Sequence, residues 1–184
     1  MRASGMRPAG ARIVVFSPAP GVFFMEAVWI STGLVALAEI GDKTQLLAIV
    51  LAARFRRPLP IILGILAATI ANHAAAAGAG YLIAQWLTGQ SFQIAVGVAF
   101  IVMALWALVP DKEDEGAAQR SAGGVFLTTL IAFFLVEIGD KTQIATSLLA
   151  AQFKSVFAVA AGTTIGMMIA NAPAVLFGAA MARL

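Results

Sequence analysis

Long apolar runs separated by short polar breaks define the chain from Val22 onward. The first run predicts a helix from about Val22 to Arg54. Its apolar part, Ala27 to Ala53, would be roughly 40 Å long as an unbroken helix, against about 30 Å of membrane hydrocarbon. Such a helix must tilt, protrude or break, and Gly41 is its weak point. Arg54-Phe55-Arg56-Arg57-Pro58 is a basic break. A second helix is predicted from about Leu59 to Leu87. It is rich in Ala and Gly, which suits close packing of helices in lipid. The turn Thr88-Gly89-Gln90 leads to a third helix, about Phe92 to Val109. After the polar stretch 110–122, a fourth helix is predicted over Gly123–Phe153 and a fifth over Ser155–Met181, the last holding Asn171 and Pro173. Trp86 and Trp106 fall near segment ends, as interfacial aromatics do.

Polar residues interrupt the first and fourth runs in the same way. Glu39-Ile40-Gly41-Asp42-Lys43-Thr44-Gln45 recurs letter for letter as Glu137-Ile138-Gly139-Asp140-Lys141-Thr142-Gln143, 98 positions later. Over 36–55 against 134–153, 12 of 20 residues are identical: Leu37, the heptapeptide, Leu51 to Ala53, and Phe55. Gly64 matches Gly162, Gly80 matches Gly178, and His73 falls opposite Asn171. A duplicated unit explains this. Three helices in the first unit would turn the second upside down in the membrane, the inverted-repeat plan of many secondary transporters.

The predicted architecture is an all-α membrane protein of two inverted three-helix repeats with the sixth helix missing, hence five transmembrane helices. Residues 1–24 read as an irregular N-terminal extension or an upstream start, with Met25 as initiator. The first repeat is 25–109, the polar linker 110–122, and the truncated second repeat 123–184. The counterpart of the third helix would begin near position 190. Its absence would leave a flank beside the fifth helix open to a partner, including a second copy in a homodimer.

Composition agrees with the membrane reading. The chain is 61% hydrophobic and 11% charged, where soluble domains have roughly 45–50% and about 25%. The net charge is +3, and the basic residues outside the two heptapeptides lie in termini and short loops, which gives no patch for nucleic acid. Cysteine is absent, so disulfides and thiolate chemistry are excluded. With Met25 as start, Lys and Arg gather on the side of the helix 1–2 loop, which the positive-inside rule puts in the cytoplasm.

Charged residues inside apolar segments are costly and mark function. On a continuous helix, Glu39 and Asp42 would share one face, with Gln45 continuing it, and so would Glu137, Asp140 and Gln143. If the repeats meet there, four carboxylates, two carboxamides and the Thr44 and Thr142 hydroxyls form an acidic, all-oxygen cavity. Hard divalent cations such as Ca²⁺ and Mn²⁺ want such ligands. Four carboxylates with Lys43 and Lys141 sum to −2, which one divalent ion cancels. The same acids could take protons instead, because burial and crowding of like charges favour the neutral form. A bland alternative pairs Glu39 with Lys43 and Glu137 with Lys141 as i,i+4 neighbours, leaving Asp42 and Asp140 unexplained. Asn72 and Asn171 serve either as interhelical glue or as neutral ligands. His73 is expected to hydrogen-bond within the bundle. Met167 and Met168 read as packing, and Asp111, Glu113, Asp114 and Glu115 as a solvated loop. No nucleotide-binding loop of the G-x-x-x-x-G-K-[ST] kind occurs, so ATP would not drive transport directly. An intramembrane aspartyl hydrolase and a non-transporting truncated subunit are the competing readings.

Twin E-x-G-D-[KR]-[TS] motifs, one in the first helix of each repeat, resemble the GDT-type family of Golgi and bacterial Mn²⁺/Ca²⁺ transporters. The resemblance covers about 25–181. It implies six helices, cation/proton exchange and export of Mn²⁺ from the bacterial cytoplasm across the inner membrane. It implies ion-binding roles for Glu39, Asp42, Glu137 and Asp140, with neighbouring Lys and Thr completing the motif. Partners would be the divalent cation, protons and the lipid bilayer, with no permanently bound cofactor.

Overall fold

The computed structural model describes residues 20–86, 89–108 and 123–182. The extension up to Ala19 and the polar linker 110–122 lie outside the described residues. Seven α-helices follow in order: α1 (Pro20–Ala38), α2 (Lys43–Phe55), α3 (Pro58–Trp86), α4 (Gln90–Ala107), α5 (Val125–Glu137), α6 (Lys141–Phe153) and α7 (Val156–Met181). No strand occurs among the described residues.

The predicted second, third and fifth helices are α3, α4 and α7, with ends close to those expected. The first and fourth are each two helices. The first run breaks between Ala38 and Lys43 and bends by 73°. The fourth, expected as one helix over 123–153, breaks between Glu137 and Lys141. The cause is the motif glycine. Gly41 has φ +80° and Gly139 has φ +77°, the left-handed region where only glycine sits without steric cost. An α-helix cannot pass through it. α3 and α7 are each long and apolar enough to cross a membrane, and α1–α2 is a third candidate if the bent pair is one span.

The second unit repeats the first in detail. α2 and α6 both run 13 residues and end on a left-handed residue, Arg56 and Lys154. Pro58 then opens α3, using the first helical position, where a missing N–H costs nothing. The principal packing is reciprocal between the units: α1 on α7 and α3 on α5, α2 on α7 and α3 on α6. The glycines mark the closest approaches. A Cβ on Gly64 would lie 2.8 Å from Phe126 O and from Thr129 Cβ, and one on Gly162 would lie 2.5 Å from Val28 O and 2.9 Å from Ser31 Cβ. These are the same contact, shifted by 98 and exchanged between units. Gly80 against the Ser147 backbone and Gly178 against Ile49 form a second such pair.

Two buried apolar clusters obey the same relation. One gathers Leu51, Ala52, Ile61, Val175 and neighbours; the other gathers Leu149, Ala150, Val159, Ala77 and neighbours. In lipid, apolar side chains gain little from leaving the solvent, so association rests on close packing and interhelical hydrogen bonds. Thr32 supplies one such bond, donating from its hydroxyl to Gly162 O at 3.0 Å. Ser147 supplies another, to Ala76 O at 2.9 Å.

Gly162→Ala is therefore expected to push α7 off α1 and to lower stability by about 1–3 kcal/mol, the usual range for overpacking. Gly33→Ala, on an open face of α1 with nothing within 4 Å, should be neutral or stabilising by up to about 1 kcal/mol through helix propensity. Thermal unfolding in detergent distinguishes the two. Equal midpoints would show that the α1–α7 approach is not tight.

Candidate cation site

The two breaks meet. Each one ends a half-helix on a glutamate and starts the next on an aspartate. Glu39 follows the last turn of α1, and Glu137 is the last residue of α5. Asp42 and Asp140 are the N-cap residues of α2 and α6, both in extended conformation. The expectation that Glu39 and Asp42 share a helical face is corrected, because 39–41 form a turn and the backbone changes direction between the two acids. The same holds for Glu137 and Asp140.

Convergence is achieved by the turns instead. Ligand oxygens of Glu39, Asp42 and Asp140 lie within 4.8 Å of one another, so acids from both units share one place. Glu137 stands within electrostatic reach of Glu39, Asp140 and Asp42. Glu39 and Glu137 are fully buried, and Asp140 is nearly so. At an effective dielectric of about 20, two carboxylates at this separation repel by roughly 3–4 kcal/mol. Only a positive charge or bound protons can relieve that.

Neighbouring side chains fix the acids in place. Thr44 donates its hydroxyl to Glu39 Oε2 at 2.6 Å, and Thr142 donates to Glu137 Oε2 at 3.2 Å. The second oxygens, Oε1 of Glu39 and Oε1 of Glu137, have no protein partner among the described residues. Buried polar atoms are nearly always partnered. Two orphaned carboxylate oxygens beside a third and a fourth acid are the signature of a place for a ligand.

The carboxamides do different work from that expected. Gln45 Oε1 accepts the Gly41 N–H at 2.9 Å, and Gln143 Oε1 accepts the Gly139 N–H at 2.7 Å. Each ties down the left-handed glycine of its own break. Gln45 Nε2 also donates to Ala170 O at 3.1 Å, anchoring the break to α7. The sequence carries a signal for this, the Gly-x-x-x-Gln spacing, although it becomes legible only once the break is known. Asn72 donates to Phe134 O at 3.1 Å, one of the α5 carbonyls that the break leaves without a helical donor. Asn171 donates to Met167 O at 3.2 Å and lies 2.9 Å from Met167 Sδ.

Lys43 corrects the i,i+4 reading. Its Nζ lies 2.9 Å from Asp140 Oδ1, a bridge between the units. His73, expected to hydrogen-bond in the bundle, is buried with neither ring nitrogen partnered among the described residues. Its helix neighbours Ala74 to Ala77 offer no polar side chain.

Backbone dipoles complete the electrostatics. α1 and α5 end at the site with their carbonyl, partially negative termini; α2 and α6 begin there with their partially positive ones. Asp42 and Asp140 sit where the positive ends compensate carboxylate charge. The carbonyl ends add oxygen atoms suited to a cation, as in transporters built from discontinuous helices.

Among the described residues every element is a helix, and apolar helices around an acidic centre are what a membrane transporter of cations would need. Comparison with known proteins agrees. The model of the family described as "Divalent cation/proton antiporter GDT1" matches residues 27–115 and 125–184, and the chain belongs to that family. It is similar to a Vibrio cholerae protein named "Putative manganese exporter", at 50% identity over 165 residues, covering 89% of this chain and 82% of the relative. "GDT1-like protein 3" of Oryza sativa subsp. indica is 28% identical over 190 residues, covering 89% of this chain and 66% of its own length. A GDT1-like protein of Synechocystis is 28% identical over 166 residues, covering 79% of each. No solved structure matches. The family is one of antiporters, so the chain is a transporter and not an enzyme, and the hydrolase alternative falls.

Gly139→Ala is expected to lower stability by about 1–2 kcal/mol, the cost of a left-handed non-glycine residue, although nothing lies within 4 Å of the added methyl. Thermal unfolding in detergent measures it. An unchanged midpoint would show that the turn does not require its left-handed glycine.

Proposed function

We propose that this chain exports a divalent cation from the bacterial cytoplasm in exchange for protons, with Mn²⁺ preferred and Ca²⁺ a second cargo. Glu39, Asp42, Glu137 and Asp140 would carry the ion, and Lys43, Lys141, Thr44, Thr142, Gln45 and Gln143 would hold them in place. Asn72 would secure the end of α5, and Asn171 would line α7 nearby. The observation that carries the reading is the gathering of Glu39, Asp42 and Asp140 oxygens within 4.8 Å, inside helices too apolar for solvent to neutralise them.

In this reading α1–α2 and α5–α6 are broken spans, and with α3, α4 and α7 they make five. The reciprocal glycine contacts support two units related by a pseudo-two-fold axis in the membrane plane, the inverted-repeat plan, with the site at its centre. The choice of Mn²⁺ rests on the printed name of the Vibrio cholerae relative and on the donor set, since hard oxygen ligands suit Mn²⁺ and Ca²⁺ alike. That relative also supports placement in a bacterial inner membrane.

The exchange follows from charge. Four carboxylates and two lysines leave −2, which a divalent ion or two protons can cancel. A site that must hold one or the other, but not both, couples their movements. Burial of Glu39, Glu137 and Asp140 denies these acids the third solution, water, so the empty and fully ionised state is the costly one.

Reconstitution into liposomes tests this. An imposed proton gradient is expected to drive Mn²⁺ uptake with counter-movement of H⁺. Asp42→Asn and Asp140→Asn should each abolish it while leaving the chain inserted and folded, since the change removes a charge and almost no volume. Uptake indifferent to the gradient would defeat the antiport, and normal uptake by Asp42→Asn would remove that acid from the site.

A further inference from the structure

Lys43 is the first residue of α2. A helix start favours anions over cations, so this ammonium is not placed by its own helix. It reaches instead into the other unit, where Nζ lies 2.9 Å from Asp140 Oδ1. The bridge is sheltered, with side-chain exposures of 18% for Lys43 and 4% for Asp140, and a charge-assisted bond in such surroundings is among the stronger hydrogen bonds. Asp140 is also one of the three acids whose ligand oxygens converge. A carboxylate that a divalent cation would use is thus already holding a cation, one attached to the protein.

We propose that Lys43 is a tethered counter-cation, which neutralises Asp140 while no divalent ion is bound and which the incoming ion must displace. The proposal rests on Glu39, Asp42 and Asp140 being the ion's ligands. Ammonium and metal ion are both positive and compete for the same carboxylate, so the lysine lowers affinity. It also speeds release, because it returns to Asp140 as the ion departs and spares the site an uncompensated buried charge. The side chain suits the task. A flexible four-carbon stem with a point charge can swing aside. Lys141 stands at the same place in the second unit, first in α6.

Mn²⁺ binding to the purified full-length chain in detergent tests the idea, by titration calorimetry for affinity and stopped-flow chelation for release. Lys43→Gln is expected to bind Mn²⁺ about tenfold more tightly, about 1.4 kcal/mol, and to release it more slowly. A bridge that only held the units together would do the reverse, since its loss would loosen the site. Unchanged or weaker binding by Lys43→Gln therefore overturns the proposal. Lys43→Arg keeps the charge and clamps a carboxylate with a rigid fork, so it should bind Mn²⁺ more weakly than the wild type. It decides the matter if the glutamine variant does not fold, and equal or tighter binding by it overturns the proposal. Asp140→Asn separates this failure from a wrong site. If it binds Mn²⁺ like the wild type, the ligand set itself is wrong and the lysine role goes with it. If it loses binding while Lys43→Gln matches the wild type, the lysine role alone is wrong.

Discussion

Four acids gathered between apolar helices, three of them buried, cannot be left to themselves. Their mutual repulsion, at a few kcal/mol per pair, is comparable with the whole margin of stability of a folded domain. Everything near the site reduces that repulsion. The two helices carrying the acids break, which brings the positive ends of α2 and α6 against Asp42 and Asp140. Thr44 and Thr142 donate to the glutamates. Lys43 crosses from one unit to neutralise an aspartate of the other. The Oε1 atoms of Glu39 and Glu137, unpartnered among the described residues, are left for a cation or proton to satisfy.

The breaks in turn depend on the packing around them. A broken helix exposes carbonyls and N–H groups that lipid cannot satisfy. Gln45 and Gln143 take up the glycine N–H groups, and Asn72 takes up a carbonyl at the end of α5. These residues come from the motif itself and from α3, the helix that packs closely on α5 and α6. The glycine approaches at Gly64, Gly80, Gly162 and Gly178 let the long helices come near enough to do so. Small residues on α3 and α7 and charged residues at the breaks are parts of one arrangement, and the duplication supplies both halves of it.

Much of this could be read from the chain. The twin heptapeptides and the 98-residue offset are explicit in the letters, and α3, α4 and α7 fall within a few residues of the expected helices. The break at Gly41 was foreseeable from a run too long for the bilayer. The run over 123–153 is also longer than the bilayer needs and carries the same heptapeptide, so its break follows from the same length argument. Glu39, Asp42 and Asp140 come together, but not across shared helical faces. Glu39 and Asp42 meet because the chain turns between them, and Asp140 joins them because the units dock. The Lys43–Asp140 bridge is of that second kind. Nothing in either heptapeptide alone distinguishes a lysine that pairs with its own glutamate from one that crosses to the other copy. His73 was misjudged for a different reason: Ala76 and Ala77 one turn on offer no side-chain partner, Asn72 is turned to Phe134 O, and Thr69 one turn back makes no hydrogen bond to it.

The most direct measurement is a structure of the full chain in lipid nanodiscs with Mn²⁺, with the ion identified by its anomalous signal in crystals or by its loss on chelation in density maps. The expected result is one Mn²⁺ within about 2.6 Å, the range of oxygen ligation to hard divalent ions, of carboxylate oxygens from Glu39, Asp42 and Asp140, and so from both units at once. Mn²⁺ bound instead at the acidic linker residues Asp111 to Glu115, or bound by the acids of one unit alone, would contradict it.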